Sequence, residues 1–311
     1  MKVLVIHQVH QVLEQLLLNE NHEVDSIMKL SREQIIKLLP NYDGLVVRSA
    51  LKVDREIMDA GINLKFIARL GAGMEGIDSE YAQQKNIVLY NAPQGNRSAV
   101  GEHSVGMLLS LFNNLNIADA QVRKGVWLRE ANRGEEIQSK TVAIIGYGNM
   151  GSAFAEKISG FGARVIAYDK YKSSYGNKFV EEVDLQTIFD QADVVSLHTP
   201  LQHDTKYMVN AEFMNSFRKN ITLINTSRGP VVNTTDLVDA LKNGKIIGAC
   251  LDVIEYEGMS FEAVANADDK AVFDYLKQAN NVILSPHIAG WTHQSNERMA
   301  RVLAEKILKE F

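Results

Sequence analysis

The stretch TVAIIGYGNMGS, residues 141–152, decides the fold. An apolar run rich in β-branched residues passes directly into Gly146-x-Gly148-x-x-Gly151. The residues that follow, NMGSAFAEKISGFG, have helical spacing, and RVIAYD then ends in an acid, Asp169. Strand, glycine loop, helix, strand and terminal acid make a dinucleotide-binding fingerprint. Gly146 permits the tight turn, and Gly148 lets the backbone approach a pyrophosphate. Gly151 lets helix and strand pack closely, and the helix N-terminus faces the phosphates. Asp169 is placed to accept hydrogen bonds from ribose hydroxyls. A carboxylate there repels a 2′-phosphate and favours NAD over NADP, a preference that Lys170 and Lys172 weaken slightly.

The motif sits near the middle of a 311-residue chain. At roughly 150 residues per domain, two domains are expected. Before the motif, KVLVIH, HEVDSI, GLVVRS, KFIARL and IVLYN read as strands, with helices between them. Ser31 and Gln34 form a capping box for the second helix, Pro40 ends it, and Gly61 closes the third. After the motif the alternation restarts. TVAIIG, RVIAYD, DVVSLH, ITLINT, IGACLDVI and NVILS are strands, with helices near 150–160, 184–191, 211–217, 234–243 and 268–278. Strands alternating with helices imply parallel sheets. The expected fold is α/β, with two doubly wound parallel-sheet domains. A Rossmann NAD-binding domain, 98–286, is inserted into a smaller flavodoxin-like substrate domain, 1–97 and 287–311. Residues 98–125 contain no proline and read as one long helix, a bridge between domains and a subunit contact. In the last helix Met299, Val302, Leu303, Ile307 and Leu308 form one apolar stripe, suited to packing on the N-terminal domain.

Net charge is −5, from 33 basic and 38 acidic residues. That argues against nucleic acid or an anionic membrane as the main partner. The single cysteine, Cys250, lies in an apolar run and reads as a small buried hydrophobe, and its solitude fits a reducing cytoplasm. The N-terminal apolar run is far short of the ~18 residues a membrane span needs, and it lacks a cleavable signal pattern.

In an open parallel sheet, ligands bind beyond the carboxyl ends of the strands. Past ITLINT come Ser227, Arg228 and Gly229. Past IGACLDVI come Glu255, Tyr256 and Glu257. Past NVILS come Pro286 and His287. A base, an acid and an imidazole thus follow three strand ends. That trio suits hydride transfer between an alcohol carbon and nicotinamide: the imidazole accepts the hydroxyl proton, a carboxylate holds the imidazolium, and the guanidinium binds a substrate carboxylate. Asp252 lies inside an apolar run, so it needs partners, either the nicotinamide carboxamide or the protein's own backbone. No metal is called for.

LGAGMEGID (70–78), NAPQGNRSAVGEH (91–103), GYGNMG (146–151), HTPL (198–201), NTSRGPVV (225–232), CLDVIEYE (250–257) and SPHIAGWT (285–292) resemble the D-isomer-specific 2-hydroxyacid dehydrogenase family over nearly the whole chain. The resemblance implies Arg228, Glu257 and His287 as the catalytic set, and its arginine-to-glutamate interval selects Glu257 over Glu255. For the cofactor it implies Gly146, Tyr147, Gly148, Asn149, Met150, Gly151, Asp169, Lys170, His198, Thr199, Pro200, Thr205, Thr226, Ser227, Arg228, Asp252, His287 and Gly290. For the substrate it implies the N–H groups at Ala72 and Gly73, with Arg48, Ser49, Asn96, Arg228 and His287. A homodimer is implied as well. The activity implied is NAD-dependent oxidation of D-3-phosphoglycerate, with Arg48, Arg69, Arg97, Arg129 and Arg133 as possible phosphate ligands. Glyoxylate or hydroxypyruvate reduction is the alternative, and an NAD-binding corepressor-like scaffold is the second. Two features depart from the family pattern. Gly258 stands where proline usually follows the glutamate, and the stretch from Glu257 to His287 is longer than usual. The chain ends after one further helix, so serine feedback through a C-terminal domain is not expected.

Overall fold

The computed structural model describes residues 1–258 and 270–311. Its first elements are β1 (Lys2–Val5), α1 (Val12–Asn19), β2 (Glu23–Ser26), α2 (Arg32–Leu38), β3 (Gly44–Val47), α3 (Arg55–Ala60), β4 (Phe66–Arg69), α4 (Ser79–Gln84) and β5 (Val88–Asn91). The five strands form a parallel sheet in the order β2-β1-β3-β4-β5. Strands β3 and β4 are buried along their whole length, as a sheet covered on both faces requires. The expected capping box is present, and α3 has a cap that was not expected. Ser31 and Gln34 exchange both capping-box hydrogen bonds, and Asp54 accepts from the Ile57 N–H at the start of α3. Pro40 lies in a short 3-10 turn that continues α2, a tighter end than a clean stop.

Next come α5 (Pro93–Phe112) and α6 (Leu115–Arg123). The single long helix expected over 98–125 is therefore two. The break is Asn114, whose φ of 50° and ψ of 31° are left-handed. Asparagine is among the few residues that tolerate that region, and a single residue there ends a right-handed helix as effectively as proline. The first helix also begins earlier than expected. Pro93 lacks the N–H that a first turn leaves unsatisfied anyway.

The rest comprises β6 (Thr141–Ile145), α7 (Asn149–Ile158), β7 (Arg164–Tyr168), β8 (Glu181–Glu182), α8 (Leu185–Gln191), β9 (Val194–Leu197), α9 (Ala211–Asn215), β10 (Ile221–Asn225), α10 (Thr234–Asn243), β11 (Ile246–Leu251), α11 (Lys270–Gln278), β12 (Val282–Leu284) and α12 (His293–Glu310). Seven strands form the second parallel sheet, in the order β12-β11-β10-β9-β6-β7-β8. The reversal of strand order falls between β6 and β9, beside the glycine loop, where doubly wound sheets take their ligands. Six strands were expected. The seventh, β8, is two exposed glutamates and carries no hydrophobic signal. The expected start of α11 near 268 lies outside the described residues, as do residues 259–269 of the long stretch after Glu257.

The chain divides into two compact units, Met1–Arg97 with Trp291–Phe311, and Ser98–Gly290. His287 to Gly290 thus group with the seven-stranded sheet, because Asp252 of that sheet holds the Ile288 and Ala289 N–H groups. In the first unit, Met299, Ala300, Leu303 and Ile307 of α12 are buried against Val3, Val5, Leu13 and Leu17. In the second, Val142, Ile144, Phe154 and Cys250 belong to one core with Leu108 of α5. Burial pushes the Cys250 thiol pKa well above its ordinary value, so it packs as a hydrophobe.

Candidate active site

The glycine loop has the geometry its sequence predicts. Gly146 has φ of +93°, and a Cβ there would lie 2.8 Å from the His198 carbonyl oxygen. At Gly151 a Cβ would lie 2.1 Å from the Gly146 carbonyl oxygen, so only glycine permits this approach. Gly148 is different: a Cβ there meets nothing within 4 Å. It is the N-cap of α7 and makes no side-chain capping hydrogen bond, as glycine must. Two buried polar atoms nearby, His198 Nδ1 and Thr199 Oγ1, have no hydrogen-bond partner among the described residues. Open space at Gly148 and these two unsatisfied atoms fit a dinucleotide. His198 binds Ser196 Oγ through Nε2 (2.9 Å), and burial of its ring pushes its pKa down to about 3.

Asp169, expected to meet a ribose, has protein partners of its own. Its Oδ2 accepts from the Tyr147 N–H (2.7 Å), and its Oδ1 accepts from the N–H groups of Tyr171 (2.9 Å) and Lys172 (3.1 Å). Both neighbouring lysines are engaged. Lys170 pairs with Asp204, and Lys172 Nζ donates to the Tyr147 carbonyl. Thr205 Oγ1 donates to the Pro200 carbonyl (2.6 Å) and accepts from the Gln202 N–H (2.7 Å), so its hydroxyl shapes its own loop.

At the end of β10, Asn225 builds the turn that presents Arg228. Its Oδ1 accepts from Ser227 N (3.1 Å) and Oγ (2.8 Å), and its Nδ2 donates to the Arg228 carbonyl (3.0 Å). Thr226 Oγ1 lies 3.1 Å from Ser104 Oγ on α5. Past β11, Glu257 Oε1 accepts from the Ile254 N–H (2.6 Å), and its Oε2 lies 2.7 Å from His287 Nδ1. His287 has φ of +53°, an uncommon backbone for a residue with a Cβ. Its own N–H donates to the Asp252 carbonyl (2.7 Å).

Asp252 is 1% exposed. Its Oδ1 accepts from Ser285 Oγ (2.6 Å) and the Ile288 N–H (2.9 Å), and its Oδ2 from the Ala289 N–H (2.8 Å). His103 Nε2 is 3.5 Å away and also meets Ser285 Oγ at 2.9 Å. Burial alone would raise this carboxyl's pKa. The hydrogen bonds from His103, Ser285, Ala289 and Ile288 outweigh it and hold the pKa below the ordinary carboxylate range. These protein partners let Asp252 pin the turn that carries His287.

In the five-stranded unit, Arg48 follows β3. Its Nη2 donates to Asn296 Oδ1 (2.6 Å), and its guanidinium lies 4.8 Å from the Trp291 ring centroid. Its Nε is buried without a partner, and no carboxylate pairs with it among the described residues. Burial, and then the Arg48 charge, lower the pKa of His7, which accepts the Arg48 N–H. Ser49 is half-buried beside Arg48, as are Ala72 and Gly73, and the Ala72 carbonyl accepts from Asn91 Nδ2. Asn96 Oδ1 is buried and unsatisfied. Of the other arginines, Arg69 is buried against Glu75, Arg133 pairs with Glu130, and Arg129 is exposed. Sequence reasoning did not single out Asn225, His103, Ser285 or Asn296. Asn225 alone had a local signal, a short polar side chain at a strand end.

Comparison with known proteins then adds to this geometry. Residues 105–289 match the family model described as D-isomer specific 2-hydroxyacid dehydrogenase, NAD binding domain. A hydroxypyruvate reductase of Thermotoga maritima is 35% identical over 95% of this chain and 94% of its own. A D-3-phosphoglycerate dehydrogenase of Archaeoglobus fulgidus is 32% identical over 99% of this chain, which spans 57% of that relative's length. The crystal structure of a D-lactate dehydrogenase from Aquifex aeolicus, complexed with NAD and lactic acid, is 26% identical. It superposes with a TM-score of 0.84 over 100% of this chain and 95% of its own.

Proposed function

The chain belongs to the D-isomer specific 2-hydroxyacid dehydrogenases, NAD-dependent oxidoreductases, and from that premise we propose that it oxidises D-3-phosphoglycerate to 3-phosphohydroxypyruvate. Bound NAD supplies the hydride acceptor. Arg228 holds the substrate carboxylate and polarises the C2 oxygen. As hydride leaves C2, His287 takes the hydroxyl proton. Its Nδ1 is held by Glu257, so proton exchange falls to Nε2, and the carboxylate stabilises the imidazolium that forms. The N–H groups at Ala72 and Gly73 are assigned to the substrate carboxylate, and Ser49 and Asn96 to its remaining oxygens.

The observation that carries the choice of substrate is Arg48, a half-buried guanidinium held by Trp291 and Asn296 with no carboxylate among the described residues. A half-buried cation without a carboxylate partner among the described residues suits an anion that arrives with the ligand. We assign it the 3-phosphate. Steady-state rates with D-3-phosphoglycerate, D-glycerate and D-lactate test this. A preference of ~10-fold or more for the phosphorylated acid is expected. A preference of ~100-fold for an unphosphorylated acid, about 2.7 kcal/mol, contradicts it. The second reading, reduction of hydroxypyruvate or glyoxylate by the same residues, is favoured by the Thermotoga relative, whose whole length this chain nearly matches. A corepressor-like scaffold requires NAD binding without turnover on any of these acids.

We further propose a cytoplasmic homodimer serving serine biosynthesis. Support for the dimer is the exposed apolar set Leu115, Val122, Val126, Trp127 and Leu128 on and after α6. Among the described residues no helix is long and apolar enough to cross a membrane. Sedimentation of Trp127→Glu should show a lighter species than the unsubstituted protein. An unchanged sedimentation coefficient contradicts this interface.

A further inference from the structure

Glu255 is the acid that the resemblance passes over, two residues before the one it selects. Its surroundings are specific. Glu255 Oε2 accepts from both the N–H (3.2 Å) and the Oγ1 (2.8 Å) of Thr234, the first residue of α10. Glu255 Oε1 accepts from the Tyr207 hydroxyl. Tyr207 is itself fixed: its φ is +52°, and its N–H donates to the Pro230 carbonyl at 2.8 Å. Pro230 is two residues past Arg228. The Ile254–Glu255 peptide also lies against Gly229, where a Cβ would come within 2.0 Å of the Ile254 carbonyl oxygen. The Glu255 carboxylate therefore ties the Tyr207 loop and the start of α10 to the segment that carries Glu257, and the backbone of both Tyr207 and Ile254–Glu255 lies against the turn after Arg228.

On the far side of Glu257 stands Gly258, which imposes little backbone restraint. Among the described residues a restraint on Glu257 from its own chain comes from the other side, through Ile254, whose N–H it accepts at 2.6 Å. We infer that Glu255 is a positioning residue. With Tyr207 and Thr234 it latches the Ile254–Glu257 segment beside the Arg228 turn, and so keeps Glu257 on His287. This rests on the triad roles proposed above, but the latch itself can be read without turnover.

Glu255→Ala removes all three hydrogen bonds. Glu255→Gln can keep them, its carbonyl accepting from Thr234 and its amide donating to the Tyr207 oxygen. Two measurements follow. The first is a double-mutant cycle on kcat with the best acid found, alongside NAD affinity. Glu255→Ala should lower kcat ~10- to 100-fold, Glu255→Gln should restore most of it, and NAD Kd should move less than ~3-fold. In a Glu257→Ala background the effect of Glu255→Ala should vanish, because it acts through the missing group. Additive losses overturn the inference, as does a Gln variant no better than Ala. The second is amide hydrogen exchange at Ile254. In Glu255→Ala it should quicken, with Ala249 and Cys250 in β11 unchanged. An unchanged Ile254 amide overturns the latch even in an enzyme that turns over none of the acids tried. Absent turnover with a loosened Ile254 contradicts the function reading and leaves the latch standing.

Discussion

The two parallel sheets of this chain are built alike and finished differently. Each is an α/β layer with buried central strands and a glycine loop at a strand end. In the seven-stranded unit the loop runs directly into α7, and Gly146 and Gly151 are crowded by backbone. In the five-stranded unit Gly71 meets nothing within 4 Å, and no helix begins until Ser79. The charged groups differ in the same way. Past β11 and β12, Glu257 and His287 are joined to each other and braced by Asp252. Past β3, Arg48 rests on an indole and an amide. A common backbone architecture thus carries a joined glutamate–histidine pair on one sheet and, on the other, a cation with no carboxylate partner among the described residues. Chemistry is set by the residues at the strand ends, not by the sheets.

The strongest way to break this contrast is at His287. His287→Asn should lower turnover ~10²–10⁴-fold while NAD affinity holds. Full turnover would remove His287 as the acid/base. Next is a matched pair of glycines. Gly151→Ala should cost about 1–3 kcal/mol of stability, because its Cβ has no room. Gly71→Ala should stay within about 0.5 kcal/mol. Urea midpoints compare the two, and equal losses would erase the difference between the loops. On the other unit, Arg48→Ala should raise KM for D-3-phosphoglycerate ~10- to 30-fold, about 1.4–2 kcal/mol, with little change for D-glycerate. Equal effects on both acids would detach Arg48 from the phosphate.

The smallest effect concerns acid. The pKa of His198 falls from its ordinary 6.5 to about 3 in the folded chain. Between those values the unfolded chain holds the proton and the folded chain does not. Stability from this group is therefore full above pH ~6.5 and lost progressively as pH falls toward 3. From pH 7 to pH 5 the loss should be about 1–2 kcal/mol. His198→Gln should flatten that slope, and an unaltered slope would mean the ring takes up its proton in the folded state.

Much of this was legible in the sequence, and the reasons are local. The order of strands and helices follows from hydrophobic periodicity, and the glycine loop from its spacing. Arg228 and His287 could be singled out because each closely follows an apolar run, whereas choosing Glu257 over Glu255 took the interval that the family resemblance implies. What stayed hidden depends on distant residues or on single backbone angles. Asn114 ends a helix by one left-handed residue among good helix formers. Strand β8 exists only because β7 offers an edge to two glutamates. The bonds from Asp252 to Ile288 and Ala289 span more than thirty residues, and Arg48 meets Asn296 from the far end of the chain. No pattern along the sequence reports such pairs.

The account rests on hydride transfer from C2 of the acid to NAD beside His287. The most direct measurement is to supply D-3-phosphoglycerate deuterated at C2 with NAD and analyse the reduced nicotinamide by mass. The expected result is one deuterium in each reduced cofactor, with transfer lost in step with turnover in His287→Asn. Reduced cofactor without deuterium, or the same transfer in His287→Asn, would contradict it.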